Sequence, residues 1–360
     1  MDSITKFTMK LVLLFGLTIS CSSSDDSNPD PKLPEPKPAS ITLTSSRTSS
    51  TLDENVTYVF TVKDEKGVDV SEFVDFKIND TPFPSNQFKP EALGEYKVIA
   101  NWNGLTSNSL TITVTAEPID TKKNFVHKVL IEDFTGAGCG WCPRVSYAIE
   151  KAEADSDKII PVAIHNTVYG PDPFNYIGRL VLENKLRVNS SYPTAFINRT
   201  IKWKGPEDAN YKFPSTYLKE SSPIGIKISS NLSNASGTAN VSLYFKETYQ
   251  DIKYVAYIVE DGLKYKQTNY TSFYGGASTL PDFIHNNTLR ATAGSILGEV
   301  IPASASVVGG TLDLNINFTN YKSEDVSKLK VVIIIVDDKG LVLNVQRAQA
   351  NTTNSFEYAN

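Results

Sequence analysis

Lys128-Val-Leu-Ile-Glu-Asp-Phe-Thr-Gly-Ala-Gly-Cys-Gly-Trp-Cys-Pro143 is the stretch on which the reading of this chain turns. Val129 to Phe134 is a short apolar run of the length of a buried strand, and the turn Gly136-Ala-Gly138 leads from it into Cys139. Beyond Cys142, Val145 to Ala154 carries helix-forming residues at helical spacing. Ile159 to Ile164 is a second buried strand, Leu180 to Leu186 is helical, and Ala195 to Asn198 returns to strand. Strand and helix in alternation predict a parallel unit.

Cys139 and Cys142 thus stand after a strand and at the start of a helix. Unsatisfied N–H groups and the partial positive charge at a helix N-terminus favour a thiolate and lower its pKa. The spacing puts both sulfurs on the first turn, within reach of a reversible disulfide, with Cys139 as nucleophile and Cys142 as the resolving thiol. A permanent structural disulfide is the alternative for an exported chain. A zinc site would need two further ligands, and His127, His165 and His285 show no ligand-like spacing, so neither metal nor organic cofactor is expected. Asp133, amid apolar neighbours, is costly unless it handles a proton or a hydrogen bond.

Lys128 to Pro143 resembles the first strand and active-site turn of thioredoxin-fold oxidoreductases. The resemblance implies that Asp133 assists proton transfer at Cys142. Tyr192-Pro193-Thr194 resembles the cis-proline segment that faces the dithiol, which makes Pro193 a shaper of the docking groove. Trp141, Tyr192 and Thr194 are then the substrate-contacting residues. Gly138 replaces the tryptophan that thioredoxins carry before the first cysteine, and Trp141 and Pro143 make the turn bulkier and stiffer. The stretch Tyr169 to Arg187 is long for a minimal module and is expected to build a lid or a substrate-side helix. With its export signal and β-rich C-terminal third, the whole chain is similar to the outer-membrane-protein-twenty-eight-related lipoproteins, over Val126 to Ser222 and more loosely beyond.

The flanks are read as β. Alternation at Thr57–Val62, Val74–Ile78, Glu95–Trp102 and Ser109–Val114, with a hairpin signal at Asn103-Gly104, predicts a small sandwich. Leu93-Gly94-Glu95-Tyr96 resembles the tyrosine corner of bacterial immunoglobulin-like domains. Six strands between Ile224 and Val345 predict a second sandwich, interrupted by a poorly patterned stretch from Asn269 to Gly310. The expected fold class is therefore an N-terminal immunoglobulin-like β-sandwich (40–116), a linker (117–125), a central thioredoxin-like α/β domain (126–222), a C-terminal β-sandwich (223–350) and a tail (351–360).

The N-terminus is read as an export signal. Lys6 and Lys10 precede the apolar run Leu11 to Ile19, too short to span a bilayer, and Leu17-Thr-Ile-Ser-Cys21 resembles a lipobox. The expectation is a signal peptide (1–20), lipidation at Cys21, and a tether (21–39) kept extended by its prolines. That places the protein on an outer membrane, facing the periplasm or the cell surface. A net charge of -5 with acids and bases interspersed gives no basis for nucleic-acid binding. Two functions follow from these features. One is a thiol–disulfide oxidoreductase acting on exported protein or peptide thiols and disulfides. The other is a surface-binding or adhesion lipoprotein in which the cysteine pair is an inert brace.

Overall fold

The computed structural model describes residues 38–52, 54–189 and 191–360; Cys21, the export signal and most of the tether lie outside them. Twenty-three strands and two α-helices are found among the described residues, so the chain is mostly β. No helix there is long and apolar enough to cross a membrane, which says nothing about crossing with strands. Contacts divide the chain into two units.

The first unit takes residues as far as Ser46, Val59–Asn86 and Lys97–Leu110. In it Ile41–Ser45 pairs antiparallel with the strand that ends at Asp64, and Asp75–Ile78 pairs on either side with Thr81–Phe83 and with Val98 to Asn101. Asn103 and Gly104 both have positive φ, 49° and 84°, as a type I′ turn requires, and they close the hairpin Trp102↔Leu105. The division cuts across the stretch 40–116 expected to form the immunoglobulin-like sandwich, the remaining residues of which fall in the second unit. There Ser49–Thr51 pairs parallel with Thr113 to Thr115.

The rest of the second unit opens with β1 (Val129–Thr135), α1 (Pro143–Asp155), β2 (Ile159–His165), α2 (Arg179–Leu186), β3 (Thr194–Ile197) and β4 (Ile201–Lys202). Then follow β5 (Ile224–Leu232), β6 (Gly237–Phe245), β7 (Lys253–Glu260), β8 (Leu263–Thr268) and β9 (Thr279–His285). The chain continues through β10 (Thr288–Ala293), β11 (Glu299–Val300), β12 (Thr311–Phe318), β13 (Leu329–Val336) and β14 (Val342–Gln349). Nine of these strands form one sheet in the order β4-β3-β1-β2-β10-β7-β13-β14, with β11 also on β7. A three-stranded sheet, β5-β6-β12, and the hairpin β8-β9 complete the unit.

This sheet overturns the expected central α/β domain. β1 and β2 do pair in parallel, with α1 between them, but β2 does not end the module. Its other edge pairs with β10 through Ala163↔Thr288, and β7, β13 and β14 continue outward from there. The central and C-terminal segments therefore share one sheet, and neither a thioredoxin-like domain nor a separate C-terminal sandwich exists. Local alternation shows that a segment is a strand, but the strand that will satisfy its edge is chosen by long-range packing. The stretch 269–310, expected to be unpatterned, supplies β9, β10 and β11.

Strand β13, Leu-Lys-Val-Val-Ile-Ile-Ile-Val, is apolar almost throughout because both its faces are covered. Val331, Ile333 and Ile335 pack with Ile226, Val241, Leu243 and Ile316 of the three-stranded sheet. Val332, Ile334 and Val336 face the opposite core with Leu130, Phe134, Val162 and Leu182. Helix α1 presses Val145, Ala148, Ile149 and Ala152 onto Val129, Ile131 and Ile159.

One ionic network lies inside this core. Arg199, directly after β3, donates from Nη2 to Glu132 Oε1 at 3.0 Å, to the Tyr257 hydroxyl at 2.6 Å and to the Ile296 carbonyl at 3.0 Å. Burial pushes the Arg199 pKa down, but Glu132 and Tyr257 outweigh it and hold the guanidinium charged. Glu132→Ala would leave that charge buried without its counter-ion. Urea denaturation should then show a loss of roughly 3–5 kcal/mol.

Candidate functional site

The turn after β1 is held from both sides. On one side the Ala137 N–H donates to Asp172 Oδ2 at 2.7 Å, and the Asn166 N–H donates to the Thr135 carbonyl at 3.0 Å. On the other side the β8–β9 hairpin takes the carbonyls. The Thr268 N–H donates to Ala137 O at 2.9 Å, the Gln267 side-chain amide to Cys139 O at 2.9 Å and the Tyr270 N–H to Gly140 O at 2.7 Å. Small residues are needed for this. A Cβ on Gly138 would fall 2.2 Å from the Tyr169 carbonyl oxygen, and one on Gly140 would enter the Tyr270 ring.

Cys139 and Cys142 are joined as a disulfide, with Cα atoms 5.4 Å apart, and Cys142 is the N-cap of α1, whose first residue is Pro143. Pro there costs no intrahelical hydrogen bond. Both cysteines are buried, at 3% and 1% exposure, in the cluster that holds Leu130, Phe134, Tyr192 and Phe196. The Tyr192–Pro193 peptide is cis, and Thr194 stands opposite Phe134 in the antiparallel β1–β3 pair, so Pro193 and the dithiol lie at the same end of the sheet. The Tyr192 hydroxyl donates to Glu183 of α2 at 2.8 Å, and Thr194 Oγ1 donates to the Ser191 carbonyl. Trp141 points outward, 52% exposed, with its ring edge-on to Tyr270 at 6.0 Å between centroids.

Asp133 faces the other way from Glu132, as neighbours on a strand must. It opens on a cavity of about 40 Å³ that it shares with Ser146, Glu150, Glu153, His165 and His285. That is room for two or three waters. Its Oδ1 makes no hydrogen bond within the protein, nor does His285 Nε2. Burial alone pushes the Asp133 carboxyl up to about 8 and, with His165 beside it, takes His285 down to about 3. His165 Nδ1 lies 2.8 Å from Asp172 Oδ2. Burial raises Asp172, but bonds from His165, Ala137 and Phe174 outweigh it and hold the carboxyl below its usual range. Neither cysteine lines the cavity; Ser146, which does, makes the first i→i−4 backbone bond of α1, its N–H donating to the Cys142 carbonyl at 3.2 Å.

The structure thus gathers Cys139, Cys142, Tyr192, Pro193 and Thr194 at one sheet end, with Asp133 beneath α1 and Trp141 on the rim. Sequence reasoning missed Asp172, Gln267 and Tyr270. A lone polar or aromatic residue in an irregular stretch carries no local sign of what it will touch. His165 is buried against Asp172. No group of three or more His, Cys, Asp or Glu side chains placed to hold a metal occurs among the described residues.

Residues 182–354, just under half of the chain, match the family model described as outer membrane protein Omp28. The match begins beyond Cys139 and Cys142, so the dithiol segment lies outside it, and it gives no support to a thioredoxin-like domain. No protein of curated function matches. Among solved structures, HBP35 of Porphyromonas gingivalis is 14% identical with a TM-score of 0.48, over 63% of this chain and 76% of that one. Domains 4–9 of the surface layer protein SbsC are 9% identical with a TM-score of 0.19, over 88% of this chain and 51% of that one. Neither likeness is close enough to bear on function.

Asp133 makes a prediction about pH. Folded, it keeps its proton to about pH 8; unfolded, it loses it near the ordinary value of 3.8. Its contribution is therefore full below about pH 4 and is lost as pH rises, by up to about 1.4 kcal/mol per pH unit, until about pH 8. Asp133→Asn should abolish that slope, so that unfolding free energies across this range diverge in the variant's favour. Parallel curves would rule out a buried neutral acid.

Proposed function

We propose that the chain is an outer-membrane lipoprotein, anchored through Cys21, whose Cys139–Cys142 pair exchanges disulfides with exported proteins or peptides. The match of residues 182–354 to an outer membrane protein family supports the location.

The position of the disulfide carries the reading. It closes a loop of only two intervening residues at the N-cap of α1. As a brace this is the weakest arrangement, because cross-link stabilisation grows with loop length and is about 2 kcal/mol for so short a loop. As a redox pair it is favourable, since the helix N-terminus stabilises the thiolate that leaves or attacks. From the oxidised form, a substrate thiolate attacks Sγ of Cys139, the Cys139–Cys142 bond breaks and Cys142 leaves as a thiolate. Asp133, neutral up to about pH 8, is the acid we assign to protonate that thiolate, from a cavity that does not itself reach either sulfur. The substrate's second thiolate then attacks its own sulfur in the mixed disulfide and Cys139 leaves. Two electrons pass to the protein, and the reverse sequence reduces a substrate disulfide.

A second reading has one observation in its favour. Cys139 is only 3% exposed, which suits an inert disulfide in a surface-binding lipoprotein. The reduction potential separates the two. Exchange predicts a value between about -120 and -270 mV in glutathione buffers, and loss of exchange in Cys139→Ser; a pair still oxidised below about -300 mV is structural. Cys21→Ser should move the protein from the membrane to the soluble fraction. Retention in the membrane would remove the lipid anchor from the proposal.

A further inference from the structure

Two of the chain's own loops lie against the turn that carries the oxidised pair, and their composition indicates what docks there. This inference rests on the exchange reading. One loop is the segment after β2, in which the Tyr169 backbone lies so close over Gly138 that no Cβ fits between them. The other follows β8, where Tyr270 lies over Gly140. Asn269 braces that loop internally, donating to the Phe273 and Ala277 carbonyls at 3.1 and 3.0 Å. Cys139 is buried while the side chains of these loops are exposed. Tyr169 is 52% and Tyr270 62% exposed, and Trp141 and Val168 are also outside.

Arg144, two residues past Cys142, is paired with Glu207 at 3.1 Å. The segments 136–142, 166–171 and 269–281 contain neither acid nor base. Asp172, the first charged residue past the second of these, is buried and occupied by His165, Ala137 and Phe174. A charged small thiol such as glutathione therefore meets no unpaired counter-ion within these segments. An uncharged apolar chain meets four large side chains, and aromatic contacts of that kind bind without fixed partners.

We propose that Trp141, Val168, Tyr169 and Tyr270 are a docking rim for an uncharged, apolar polypeptide segment flanking a cysteine, and that seating it there lifts the Tyr169 backbone off Gly138 and exposes Cys139. Gly170, at φ 129°, adjoins the contact and gives the backbone freedom to turn. The rim selects the substrate by its flanking residues, and the gate keeps small charged thiols from the disulfide.

The test compares rates of reduction of the oxidised protein by two thiols, glutathione and an uncharged peptide whose cysteine is flanked by Phe and Leu. The peptide should react at least about tenfold faster in the wild type, and Trp141→Ala with Tyr270→Ala should bring the ratio close to one. Gly138→Ala has no left-handed φ to strain, and its methyl must displace the Tyr169 carbonyl. It should speed reduction by glutathione by about tenfold. Equal rates for the two thiols in the wild type, or a ratio untouched by the double variant, would overturn the rim. A Gly138→Ala protein that folds and reacts no faster than wild type would overturn the gate. Should Gly138→Ala fail to fold, Tyr270→Ala alone, at an exposed position, must speed alkylation of reduced Cys139 by iodoacetamide for the gate to stand. These are rates, whereas the exchange reading stands or falls on the equilibrium potential. If the potential lies below about -300 mV, reduction by tris(2-carboxyethyl)phosphine still compares gate opening between wild type and Gly138→Ala.

Discussion

The parallel pairing of β2 with β10, through Ala163 and Thr288, is the contact on which the second unit depends. A strand edge left open costs unpaired backbone groups and invites association, so each sheet has to solve where its edges end. Here the edge of β2 is satisfied by chain that arrives long after the cysteines. Once β10 is in place, β7, β13 and β14 extend the sheet, and the β8–β9 hairpin between β7 and β10 comes over the turn that carries Cys139. The hairpin's grip on the Ala137, Cys139 and Gly140 carbonyls is a consequence of sheet order.

Two successive carboxylates on β1 show how the sheet divides its chemistry. Glu132 and Asp133 are both buried, one residue apart, and point to opposite faces. Glu132 meets Arg199 and Tyr257, which satisfy it as an anion. Asp133 meets a small polar cavity with no cation against it, and burial holds it as a neutral acid. One carboxyl is paired inside the core and the other opens on a small cavity, and the difference lies in what each face packs against.

Much of the site could be read along the chain. The strand Val129–Thr135, the turn, the helix from Pro143 and the strand beyond Pro193 follow from short apolar runs and from Gly and Pro placed at element ends. The N-terminal hairpin at Asn103-Gly104 was legible for the same reason, because a type I′ turn admits few residue pairs. What was not legible is everything that depends on partners. Local pattern closes the central strands into an α/β domain of their own, and shows 269–310 only as a functional loop or an excursion, where the structure has three strands and the loop beside the dithiol turn.

The sequence by itself determined most of the strands and both helices, and put two cysteines between a strand that carries an acid and the helix that follows it, although the structure leaves Cys139 before the helix and Cys142 at its N-cap. These are local matters, set by side-chain period, turn chemistry and backbone preference within a few residues. The tertiary structure alone decided that one sheet unites the central and C-terminal segments, that Arg199 pairs with Glu132, and that Tyr169 and Tyr270 pack against Gly138 and Gly140 on either side of Cys139. Those outcomes depend on which distant surfaces can be buried together, and no stretch of sequence carries its partner's address.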